Sequence, residues 1–97
     1  MLRPNGRMIH TLKTWPQPLE AVRAGKKTFE VRKNDRNYKV GDFLILMEWN
    51  PEELCFTGNE VDVIVTYILK ADDIPNEYGF GLTPGTVIMG IKLSYEE

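Results

Sequence analysis

The sequence predicts an α+β, mainly β fold: a small, partly closed β-barrel of five or six strands with one helix near the N-terminus. Three observations carry this expectation. Short apolar runs with two-residue alternation recur along the chain, most clearly at Val61, Val63 and Val65. Clusters of Gly, Pro, Asn and Asp separate them. Only one stretch, near the start, carries helix punctuation, and curling the sheet disposes of exposed strand edges.

Residues 1–7 read as a polar leader, and residues 8–97 as one domain with room for a modest core. Met8 to Lys13 forms a first short strand. The helix follows and stops at Gly25, which supplies a left-handed end. Thr14 with Gln17 matches a capping box. Pro18 as the first helical residue, with Gln17 as cap, fits better, because a proline further in lacks a needed donor. Leu19 and Val22 are its buried stripe.

Lys27 to Arg32 is the next strand, with Phe29 and Val31 expected in the core and Thr28, Glu30 and Arg32 on the opposite face. Lys33 to Arg36 and Val40-Gly41-Asp42 are turns. Phe43 to Trp49 is apolar on both faces, so it reads as a central strand covered on two sides, ended by Asn50-Pro51. Leu54 to Thr57 and Glu60 to Leu69 read as a hairpin joined by Gly58-Asn59. Asp72 to Glu77 suits a single helical turn, Tyr78 to Gly85 a loop, and Thr86 to Leu93 a last strand.

Composition excludes several classes. Hydrophobic residues at 42% and charged residues at 27% match soluble globular proteins and not disordered ones. No apolar run nears the ~20 residues of a membrane helix. The first seven residues hold no signal-like apolar stretch, so a cytoplasmic location is expected. Cys55 is alone, and is expected as a small buried hydrophobe. One His, one Cys and scattered carboxylates have no metal-ligand spacing, so neither metal nor cofactor is expected.

The net charge of −2 conceals an asymmetry: +7 over residues 1–41 and −9 over residues 42–97. A protein that coats nucleic acid without specificity is basic overall, so extensive phosphate neutralisation is not expected; binding at one local basic surface and mutual neutralisation of the two halves through surface pairs fit the pattern equally. Gly25 to Asp42 holds the densest cationic run, set on a strand's apolar rhythm. It suits a mostly cationic cleft wall facing an anionic, hydrogen-bond-rich ligand. The expected lining residues are Lys27, Thr28, Glu30, Arg32 and Arg36. For Lys27 and Glu30 to converge, the strand must begin after Lys27. Trp15, Tyr78 and Phe80 are the candidates for stacking a base, Trp15 serving otherwise as a hydrophobic staple over the helix start. His10, the only histidine, reads as a hydrogen-bonded structural residue.

His10-x-Leu12-Lys13, Gly25-x-Lys27-x-x-Glu30-x-Arg32 and Val40-Gly41-Asp42, in this order, resemble the ASCH domain of the PUA-like superfamily, as does the Pro84-Gly85 turn before the last strand. The likeness spans roughly Ile9 to Leu93. It is closest to small uncharacterised bacterial and phage proteins that share the stretch from Lys27 to Arg36. The resemblance implies a PUA-like pseudo-barrel with a cleft between the first helix and the sheet, binding RNA or a modified nucleobase, and it adds Lys13 of the opening motif to the residues lining that cleft. Some similar ASCH proteins hydrolyse an acylated cytidine with a lysine, a threonine and a distant glutamate. Lys27 matches that lysine, whereas Glu30 stands at the threonine position. The expected function is therefore an RNA-, nucleic-acid- or nucleotide-binding module. The alternative is a small amidohydrolase acting on a modified nucleobase, with Lys27 and Glu30 as catalytic pair, and the third reading is a protein-interaction adaptor.

Overall fold

The computed structural model describes residues 6–75 and 81–96. Its elements are β1 (Ile9–Thr14), α1 (Pro16–Arg23), β2 (Phe29–Lys33), β3 (Phe43–Asn50), β4 (Cys55–Lys70) and β5 (Thr86–Leu93), with 3-10 turns at Ala71–Asp73 and Ser94–Glu96. The five strands form one sheet in the order β1-β3-β4-β5-β2, curled into a half-barrel. β1 runs parallel to β3, and the remaining pairs are antiparallel.

The sheet ends, β1 and β2, share no backbone ladder among the described residues. Side chains bridge them instead: Arg32 Nη2 donates to Thr14 Oγ1 (3.2 Å), and Arg36 Nη1 to the Thr11 carbonyl (2.7 Å). This seam is where a polar site can open without breaking the core.

Alternating residues of every strand face inward. Leu12, Leu44, Leu46, Val61, Val63, Val65, Val87, Met89, Ile91 and Leu93 are buried there, and α1 closes the barrel with Leu19 and Val22. Burying each of these two helix side chains contributes about 1.5–3 kcal/mol. At the other end of β1, the Asp42 carboxylate accepts from the Met8 and Lys39 amides and from His10 Nε2 (3.1, 3.0 and 2.9 Å). The expected structural role of His10 is met: it ties β1 to the turn before β3.

The helix starts differently from expectation. Trp15 is the N-cap residue, Pro16 opens the helix, and no side chain caps it. Pro18 costs nothing in the first turn, where amides have no intrahelical partner. Neither Thr14 nor Gln17 caps, because Thr14 is buried as the last residue of β1. The C-terminal end follows the sequence. Gly25 takes φ +76°, its amide donates to the Val22 carbonyl, and the Lys26 amide reaches back to Ala21 (2.9 Å each).

Four further expectations are corrected. Phe29 and Val31 are 47% and 51% exposed, while Glu30 is buried. β2 is a sheet end, and its inward face meets an ion cluster instead of apolar side chains. Gly58-Asn59 is not a turn. β4 runs unbroken through it, with a register shift opposite Met47–Trp49, and the hairpin turn lies at residues 51–54. Gly58, at φ +91°, serves this irregularity. β3 is buried on one face only, since Phe43, Ile45 and Met47 keep partial exposure. Cys55 is exposed at the start of β4. The last strand, Thr86–Leu93, has the expected bounds. No helix among the described residues is long and apolar enough to cross a membrane.

Candidate functional site

The C-terminal end of α1 sets the first side chain of the site. Both the Lys26 and Lys27 amides donate to the Ala21 carbonyl, so the chain leaves the helix on a fixed course. β2 then begins at Phe29, which leaves Lys27 on the preceding loop. The condition for convergence with Glu30 is thereby met. Lys27 Nζ pairs with Glu30 Oε2 and donates to the Phe29 carbonyl (2.6 Å).

Glu30 is 3% exposed, an unusual setting for a carboxylate. Its charge is compensated from two sides. Lys27 holds Oε2, and Arg32 delivers Nε and Nη2 to Oε1 (3.1 and 2.9 Å). Arg32 Nη2 also donates to Thr14, so one guanidinium links β2 to the end of β1. Burying such a cluster costs several kcal/mol per ion in desolvation, and an apolar replacement is often as stable.

Above the cluster lies an open hollow of 260 Å³ lined by Lys13, Thr14, Trp15, Pro18, Lys27, Glu30, Val31 and Arg32. Trp15, 56% exposed at the helix start, offers a ring wall. Lys13 forms the far side, its ammonium 3.8 Å from the Trp49 ring centroid. The hollow thus holds three cations against one carboxylate. Its unused groups are mostly donors: Arg32 Nη1 has no partner among the described residues, and Lys27 has a third N–H. Such a surface has the chemistry to pair with an acceptor-rich anion and to stack a flat ring.

The structure brings five of the singled-out residues together here: Lys13, Trp15, Lys27, Glu30 and Arg32. Thr28 and Arg36 are elsewhere. Thr28 accepts from the Ile91 amide through its carbonyl and lines a neighbouring hollow. Arg36 is spent on the Thr11 carbonyl across the seam. Tyr78 and Phe80 lie outside the described residues. Thr14, Pro18 and Val31 were missed by sequence reasoning. The proximity of Thr14 to the family-like Lys13 was the available signal. Among the described residues, no group of three or more His, Cys, Asp or Glu gathers as a metal site.

Residues 9–91 match the family described as "Domain of unknown function (DUF3850)". The chain belongs to the DUF3850 family. This DUF3850 protein is also 40% identical over 70 residues to the "Uncharacterized 12.9 kDa protein in GpA 3'region" of Escherichia phage P2. The alignment covers 72% of this chain and 62% of the phage protein, so the chain spans less than two thirds of that relative's length. The expected likeness to small uncharacterised phage proteins is met at this level.

Proposed function

We propose that this DUF3850 protein is an ASCH-like nucleic-acid-binding module, with RNA as its partner, and that it takes a nucleotide in the hollow between α1 and β2. One observation carries the reading. A buried carboxylate organises Lys27 and Arg32 so that their remaining donors open into a hollow walled by an exposed tryptophan. The base stacks on Trp15, and phosphate or carbonyl oxygens accept from Arg32 Nη1, Lys27 and Lys13.

The hydrolytic alternative uses the same pair but asks Glu30 to take a proton from water. Both its oxygens already accept from cations, which favours binding over proton transfer. Incubation with acylated cytidine separates the two: turnover abolished by Glu30→Gln supports the hydrolase.

Titration of isotope-labelled protein with uridine monophosphate and short RNA, followed by NMR, tests the binding reading. Amide shifts are expected to cluster at Lys13 to Trp15 and Lys27 to Arg32. Arg32→Ala should weaken binding at least about tenfold, as losing charged hydrogen bonds of about 1.5–3 kcal/mol implies. Spectra unmoved across nucleotides and RNA overturn the proposal.

A further inference from the structure

The nucleotide hollow has a neighbour. A second hollow, of 140 Å³, lies at the C-terminal end of α1, and Lys27 belongs to the lining of both. Its floor is apolar and deeply buried, made by Val22, Val63, Ile91 and Leu93. Its rim is polar, with Thr28 and Lys92, and the Lys92 ammonium has no partner among the described residues. Each hollow alone is smaller than the ~300–1,000 Å³ of ordinary ligand pockets, whereas the pair taken together enters that range.

Resting on the nucleotide reading above, we propose that the two hollows bind consecutive nucleotides of one single strand, with the linking phosphodiester over Lys27. The base in the first hollow stacks on Trp15. The next sugar or base lies on the apolar floor beside Ile91, with Lys92 compensating its phosphate. Lys27 suits the junction because Glu30 and the Phe29 carbonyl fix its ammonium and leave one N–H free.

Past the end of α1, Lys26 follows Gly25 of the second hollow and, like Lys92, is exposed, whereas Arg23 is engaged by Glu20 and Asn59 and shares a further hollow with Glu60 and Asp62. The way out past Lys13 to Trp49 and Phe56 meets the β3–β4 hairpin with Glu48, Glu52 and Glu53, which repel phosphate. The aromatic pair there is unsuited to a polyanion despite its exposure.

Calorimetric titration of the protein with uridine monophosphate and with the dinucleotide pUpU tests the proposal. The dinucleotide is expected to bind at least about tenfold tighter, since a second stacked or buried nucleotide contributes about 1–3 kcal/mol. Lys92→Glu and, separately, Thr28→Phe, which fills the second hollow, should bring pUpU down to the affinity of the mononucleotide and leave the mononucleotide unchanged. A deoxyribose pair run in parallel tells an RNA from a DNA source, and a gain over its own mononucleotide also supports the two-hollow site. Mononucleotide binding with no gain for pUpU, or a gain that survives both variants, overturns this inference and leaves the first hollow standing. Absence of binding by any of these ligands overturns both readings.

Discussion

Two buried carboxylates sit near opposite ends of β1, and their partners differ in kind. Asp42 accepts from two backbone amides and the His10 ring, all donors fixed by the chain around it. Glu30 accepts from two long cationic side chains, both of which keep donors that open into a hollow. The first arrangement is closed on itself and serves the fold. The second leaves hydrogen-bonding capacity facing an open hollow. Burial of a carboxylate therefore says little about function by itself, and what its partners have left over says much.

The largest expected effect breaks the closed side of this comparison. Asp42→Ala strands two amides and a histidine, so it should destabilise by roughly 3–5 kcal/mol. At about 4–8 °C per kcal/mol for a domain of this size, thermal unfolding should shift by more than about 10 °C. Nucleotide affinity of the folded fraction should stay the same. A small shift would show that this pin is dispensable and that the contrast is misplaced.

Trp15→Ala probes the open side. Trp15 caps α1 only through its backbone and is half exposed, so stability should move by no more than about 0.5 kcal/mol. Nucleotide binding should fall by about 1–3 kcal/mol, the contribution of one base stack. A melting loss with intact binding, read by the same calorimetry and a thermal scan, would return Trp15 to a purely structural role.

The smallest effect belongs to Tyr38, whose ring packs edge-on against His10 (centroids 4.8 Å apart). Burial holds its phenol above the ordinary 10.0, with Arg36 opposing. The folded protein thus binds this proton more tightly than the unfolded chain does. That contribution is complete below pH 10 and is lost as pH rises through the raised value. Wild type should lose stability above pH 10 more steeply than Tyr38→Phe in alkaline denaturation. Parallel curves would show that the Tyr38 proton adds nothing to the closed end.

Much of the site was readable because its residues are close in sequence and carry local signals. Gly25 announces the helix end, and that end aims Lys27; a charged strand begins two residues later, at Phe29. The spacing could not say which face of β2 turns inward. Alternation is symmetric under a flip of the strand, and Phe29 and Val31 suggested the wrong side. The ion cluster with Arg32 and Thr14 decided it, and Thr14 is eighteen residues away from Arg32. Arg36 misled for a similar reason: its partner is a carbonyl across the seam. Gly58-Asn59 carried a hairpin's chemistry but received a bulge, because pairing with β3 on one side and β5 on the other extends through β4.

The amino-acid order alone determined the inventory: one helix, mostly alternating strands, their punctuation, and a basic N-terminal half rich in candidate ligands for an anion. Those follow from local backbone preference and side-chain chemistry, which act over a few residues. Only the three-dimensional arrangement decided that β1 lies parallel to β3, that Glu30 points in while Phe29 points out, and that two hollows meet at Lys27. These depend on contacts between segments far apart in the chain, where competing burials and charge pairings are settled together and no short stretch holds the answer.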